Sequence, residues 1–169
     1  MPVLQSPPFR LYLLRHAHAA WASPGEHDFD RRLDSKGYAE AELISERIAT
    51  KGYRPDVILS STAARCRETA QAVRRAFNDA FEIAYVDEMY NAQAEIYLAL
   101  ISAQTSAKSV MLVGHNPTIE SVAEAVLGKQ QMDDAIPNGF PTAGFAVLDA
   151  INGDASDLAK WQMREFLTP

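Results

Sequence analysis

Three short polar clusters interrupt an apolar background, and each follows a run suited to a buried strand. Arg15-His16-Ala17-His18 follows Arg10–Leu14, Ser60-Ser61-Thr62-Ala63-Ala64-Arg65 follows Val57–Leu59, and Gly114-His115-Asn116-Pro117 follows Val110–Val113. Two arginines and two histidines dominate these clusters. The planar guanidinium fork matches a tetrahedral oxyanion and keeps its charge at any working pH. A neutral imidazole is a competent nucleophile and ordinarily titrates near pH ~6.5. A helix opening at Asn116 would add N–H donors and the positive end of its dipole. Together these groups describe a phosphate site with a nucleophile inside it.

The elements around the clusters must bring them to one place. Ligands of open α/β sheets bind beyond the carboxyl ends of the parallel strands, so the three clusters would meet if their strands are neighbours. Strand signals alternate with helix signals along the chain, which predicts an α/β fold: three layers, α/β/α, with a mostly parallel central sheet. The apolar runs Arg10–Leu14, Val57–Leu59 and Val110–Val113 have the unbroken character of strands covered on both faces. Gly144–Leu148 and Trp161–Phe166 are expected to complete the sheet, with Phe81–Val86 as a further edge strand. Ala41, Ile44 and Ile48 mark one face of a helix over about Gly37–Thr50, ended by Gly52 and Pro55. Cys66, Ala70, Val73 and Phe77 stripe a second helix, and the pairs Ile96/Leu100 and Tyr97/Ile101 mark a third. Asn116 as N-cap, Pro117 in the first turn, and Ile119, Val122, Ala123, Val126 and Leu127 define a fourth that ends at Gly128. Residues 1–169 read as a single domain, with 1–8 a flexible N-terminus.

Composition narrows the function classes. The chain has 169 residues, 47% of them hydrophobic, and a net charge of −6. That is enough apolar material for a packed core and argues against disorder. The acidic balance disfavours sequence-independent nucleic-acid binding, which needs a basic surface. One cysteine allows no internal disulfide. The segment Met1–Pro8 carries three prolines and no long apolar run, so neither a signal peptide nor a membrane span is expected, and the default location is the cytoplasm.

Competing readings of the same residues are weaker. His16 and His18 form an H-x-H pair, but a metal needs further ligands nearby and no Cys cluster or second acidic–histidine motif supplies them. The two rings are expected to face opposite ways, with His18 at the pocket rim or in solvent and His27 on the surface. Cys66 lacks the arginine six positions on that a cysteine phosphatase needs, since Ala72 stands there. It belongs to the apolar stripe and packs in the core. Arg67, Arg74 and Arg75 are interleaved with Glu68 and read as a solvated helix face. No metal or other cofactor is expected.

The blocks together resemble a known family. Leu14-Arg15-His16-Ala17 resembles the Arg-His-Gly signature of the histidine phosphatase superfamily, the phosphoglycerate-mutase-like enzymes. Ser60 to Ala70 is similar to its second block, Gly114-His115-Asn116-Pro117 to its second-histidine block, and Arg31 to Gly37 to the segment before the first helix in short bacterial members. The likeness runs from about Arg10 to Met163 and is nearest to the bacterial phosphohistidine phosphatase branch. It implies His16 as phosphate acceptor, and Arg15, Arg65 and His115 as the clamp on the phosphoryl oxygens. Arg31, Asn116 and Thr142 become substrate-binding candidates. Ala17 replaces the usual glycine, and Thr62 stands where proline is frequent. Larger relatives carry a glutamate general acid in the region of Asp87 and Glu88. Glu88 is the candidate here, although its surroundings do not match the acid motif.

The implied activity is hydrolysis through a phosphohistidine enzyme intermediate, on phosphohistidine in proteins. The alternatives are a small-molecule phosphomonoesterase of the same superfamily and a non-catalytic phosphoprotein-binding module. A mutase is disfavoured because the chain has no room for the insertions of the longer mutases. The expected partners are a phosphorylated protein or a small phosphate ester, with no nucleic acid and no membrane.

Overall fold

A computed structural model describes residues 9–151 and 161–169. The expectation of a flexible segment at 1–8 lies outside the described residues. Among the described residues the sheet has six strands: β1 (Arg10–Arg15), β2 (Val57–Ser61), β3 (Ile83–Val86), β4 (Ser109–Gly114), β5 (Phe145–Ala150) and β6 (Trp161–Leu167), in the order β3-β2-β4-β1-β5-β6. Among the described residues, five α-helices accompany them: α1 (Ser35–Thr50), α2 (Ala64–Ala76), α3 (Ala94–Ser102), α4 (Thr118–Leu127) and α5 (Lys129–Ala135).

Alternation along each strand builds two cores, one on each face of the sheet. Leu11 and Leu13 of β1, Val110 and Leu112 of β4, and Ala146 and Leu148 of β5 pack with Tyr97, Ile101, Ile119, Val122 and Val126 of α3 and α4. Tyr12 and Leu14, Met111 and Val113, and Phe145 and Val147 face the other way, onto Ala41, Ile44 and Ile48 of α1 and Cys66, Ala70 and Val73 of α2. This is the three-layer α/β/α architecture, and the stripes that predicted α1, α2 and α4 are the faces that are buried. Of the pairs marking α3, Tyr97 and Ile101 are buried, while Ile96 is exposed.

The sheet is mixed rather than mostly parallel. The run β3-β2-β4-β1 is parallel throughout, but β5 lies antiparallel to β1, and β6 antiparallel to β5. Single helices cross between the parallel strands, as parallel pairing requires, whereas α4 and α5 both intervene before β5. The helix after β4 also begins later than expected. Pro117 occupies its N-cap position, and Asn116 makes no capping bond. The Asn116 Nδ2–H instead donates to the carbonyl of Phe140 at 3.4 Å. Among the described residues, no helix is long and apolar enough to cross a membrane.

Candidate active site

The parallel strands β2, β4 and β1 are adjacent, so their carboxyl ends deliver the three polar clusters side by side. Register fixes the match: Arg15 pairs with Gly114 and Ser60 with Val113. A cleft of about 590 Å³ opens over these strand ends, and Arg15, His16, Arg65 and His115 all line it. Arg31, Asn116 and Thr142 line it too. Glu88 is not among the lining residues and is exposed on the 3-10 turn Asp87–Met89.

His16 is fixed through its main chain. Its N–H donates to Gly114 at 3.0 Å, and its carbonyl accepts from Ala143 at 3.1 Å. The ring Nδ1 lies 2.7 Å from the carbonyl of Ala17. A carbonyl only accepts, so Nδ1 carries the proton and Nε2 carries the lone pair. Burial at the cleft floor pushes the His16 imidazole down to about 3, with the neighbouring His115, Arg65 and Arg15 adding to the effect. The ring is therefore a neutral nucleophile across the physiological range.

Arg15 ends β1 and donates through Nη1 to the carbonyl of Phe140 at 2.8 Å. Its Nε is buried with no protein acceptor among the described residues. Burial also lowers its pKa from the ordinary arginine value, and Glu120 and Glu40 oppose that effect. A buried donor without an acceptor is costly unless a ligand supplies one.

Arg65 sits in the first turn of α2 and is only 7% exposed. Thr69, one turn on, donates to the Arg65 carbonyl and accepts from the Ala17 N–H, which ties α2 to the end of β1. The Arg65 guanidinium is held by Asp28, the first residue of the 3-10 turn Asp28–Asp30. Asp28 also accepts from the Tyr90 hydroxyl at 2.7 Å and from Arg31 Nη1 at 2.9 Å. The Tyr90 bond above all, then Arg31 and Arg65, holds the Asp28 carboxyl well below the usual carboxylate range, so it stays ionised.

His115 follows β4. Its main-chain N–H donates to the Tyr97 hydroxyl at 3.3 Å, and that hydroxyl donates to Met89 at 3.2 Å. Gly114 is required for this approach, because a Cβ there would collide with the Tyr97 hydroxyl. The His115 Nε2 lies 2.9 Å from Ser61 Oγ and 3.4 Å from Cys66 Sγ. Burial, reinforced by Arg65, pushes His115 down to about 4. Burial also raises the Cys66 thiol to about 12, so it remains a thiol and no nucleophile. The His16 and His115 rings stand 5.4 Å apart, edge to face.

His18 also faces the cleft. The expectation that His16 and His18 diverge is not met, because residues two apart on an extended chain share a face. His18 Nδ1–H donates to Asp34 Oδ2 at 2.6 Å. The rim carries Trp21, 90% exposed, with the Arg31 guanidinium over its ring.

The arrangement suits covalent phosphoryl transfer. A neutral imidazole with a directed lone pair lies among two guanidinium groups and a second neutral imidazole, where charge on transferring oxygens would develop. Comparison with known proteins agrees. Residues 11–94 match the histidine phosphatase superfamily (branch 1). The solved structure of the candidate phosphohistidine phosphatase SixA from Agrobacterium tumefaciens superposes with a TM-score of 0.88 at 57% identity, covering 97% of this chain and 100% of that one. Its counterpart from Nakamurella multipartita superposes at 0.81 with 28% identity, covering 97% of this chain and 98% of that one. A chloroplastic protein of Arabidopsis thaliana is 31% identical over 129 residues, which are 70% of this chain and 59% of that protein. The chain thus belongs to the histidine phosphatase superfamily and is a phosphatase that works through a histidine nucleophile.

Proposed function

We propose that the enzyme removes phosphoryl groups from phosphohistidine side chains of proteins, with His16 as acceptor and Arg15, Arg65 and His115 clamping the phosphoryl oxygens. The observation that carries the assignment of His16 is its 2.7 Å bond to the Ala17 carbonyl, which commits Nδ1 and directs the Nε2 lone pair to the cleft. Nε2 attacks phosphorus in line, the bond to the leaving group breaks, and the arginines meet the charge on the three equatorial oxygens. Water then hydrolyses the phosphohistidine intermediate. Arg31, Asn116 and Thr142, on the outer cleft, contact the substrate.

The substrate class rests on what the cleft lacks. No carboxylate is found among the described residues that line it, and Glu88 lies outside it. An alkoxide leaving group gains typically ~10²–10⁴ in rate from a general acid. A suitably protonated phosphohistidine ring departs as neutral imidazole and has less need of one. The exposed rim at Trp21 admits a side chain presented on a protein surface. The same reading places the enzyme in the cytoplasm and gives it no nucleic-acid or membrane partner.

A volume of about 590 Å³ also suits small ligands, which keeps a small phosphomonoester as the second reading. The test is kcat/KM for a histidine-phosphorylated protein against a panel of small phosphomonoesters. A preference for the phosphoprotein is expected. A clear preference for one ester would overturn the reading in favour of the small-molecule phosphatase.

A further inference from the structure

Three imidazoles face the cleft, and they are held in different ways. His16 donates to a main-chain carbonyl, and His115 lies against Ser61 and Cys66. Only His18 is paired with a carboxylate, through the 2.6 Å bond from its Nδ1–H to Asp34 Oδ2. That bond leaves the lone pair on Nε2. The His18 side chain is 41% exposed, which gives a proton on this ring a direct path to solvent.

Its placement is heavily determined. The His18 N–H donates to Glu40 Oε2 at 2.9 Å, and the same carboxylate accepts from Thr142. The His18 carbonyl accepts from the Asp34 N–H at 3.3 Å. Asp34 is the N-cap of α1 and accepts from Gly37 N–H at 2.8 Å. Gly37 lets the helix start come this close, since a Cβ there would collide with the His18 carbonyl. The charged groups around His18 are thus Asp34 and Glu40 of the α1 start, with Arg31, Arg15 and Arg65 across the cleft.

We infer that His18, oriented by Asp34, is the proton acceptor for the water that hydrolyses the phosphorylated enzyme. The inference rests on His16 as phosphoryl acceptor, but not on which substrate supplied the phosphoryl group. The water oxygen bonds to phosphorus, and the P–Nε2 bond to His16 breaks with its electron pair returning to Nε2. The water proton passes to His18 Nε2. Inorganic phosphate leaves, and the His18 imidazolium, stabilised by Asp34, returns its proton to solvent. His115 is less suited to this step, because burial and Arg65 disfavour the imidazolium it would become on accepting a proton.

The test uses 4-nitrophenyl phosphate, whose leaving group needs no acid, with rapid quench. His18→Gln should still release a burst of nitrophenolate, accumulate acid-labile, base-stable phosphoenzyme, and lose roughly 10²-fold in steady-state rate. Asp34→Asn, which keeps a competent cap, should slow the same step less. Added imidazole should restore turnover to His18→Ala. Full turnover by His18→Gln without phosphoenzyme build-up, or equal loss of burst and turnover, would overturn the proton role. A His16→Ala variant that keeps turnover and burst would instead remove the acceptor assignment on which the step depends.

Discussion

Arg65 donates twice to Asp28, through Nη1 to its main-chain carbonyl at 2.8 Å and through Nη2 to its carboxylate at 3.0 Å. One residue thereby sets both the position and the charge environment of a cleft arginine. Arg65→Ala should fold normally, since Asp28 keeps Tyr90 and Arg31 as partners. It should lose roughly 10²–10³ in turnover, the scale for removing one donor to a transition-state oxyanion. Asp28→Ala, which leaves only the carbonyl to hold the guanidinium, should show a smaller loss in the same direction. Urea melts alongside kcat/KM separate these outcomes from unfolding.

His16 and His115 should be neutral in the native protein well below the ordinary histidine range. Ring ¹⁵N spectra at pH 6 should show His16 as the Nδ1–H tautomer, with titration only toward about 3 for His16 and about 4 for His115. The unfolded chain takes up these protons near pH ~6.5 while the native state refuses them, so the unfolded state binds more protons. The stability linked to these rings is complete above that pH and is lost as pH falls from there to the native values. Urea midpoints measured from pH 7 down to pH 4 should fall less steeply in His115→Asn than in the wild type.

Glu88→Gln should leave phosphohistidine cleavage almost unchanged, because the carboxyl stands exposed outside the cleft. Steady-state kinetics on a phosphoprotein check this. A large loss would show that the turn Asp87–Met89 reaches the substrate.

Gly37→Ala reverses a familiar sign. Replacing glycine inside a helix ordinarily stabilises by roughly 1 kcal/mol. Here the new methyl group meets the His18 carbonyl, so a destabilisation of about 1–3 kcal/mol is expected, the usual cost of overpacking. Denaturant melts give the sign directly, and the displacement of His18 and Asp34 should lower turnover as well.

The parts of this molecule that were readable from sequence are those whose signal is local. Strands β1, β2 and β4 are covered on both faces and appear as unbroken apolar runs, so the polar residues at their ends were conspicuous. Helices α1, α2 and α4 bury one stripe each. The helix α5 has no such stripe: Met132 is its only buried residue, and the rest of Lys129–Ala135 is polar or small. The direction of β5 was equally hidden, since an apolar run reads the same in either orientation. Asp28 and Tyr90 were missed because their role comes from a tertiary cluster with Arg65, 37 and 25 positions away in the chain. Ser61 lay within a conspicuous block, but its partner His115 is 54 residues distant. Hydrogen bonds of this span leave no periodicity to read.

The strand order has a consequence for how the enzyme is made. β4 is inserted between β1 and β2, although both precede it in the chain. A nascent chain that has emerged only as far as α3 holds Arg15, His16 and Arg65, yet it has no strand to join β1 to β2. The two halves of the oxyanion clamp come together only when residues 109–114 close the gap and bring His115 with them. Closure of so long a loop is slow compared with local helix formation. Catalytic competence should therefore arise late and all at once in synthesis or refolding, after much of the helical content is in place.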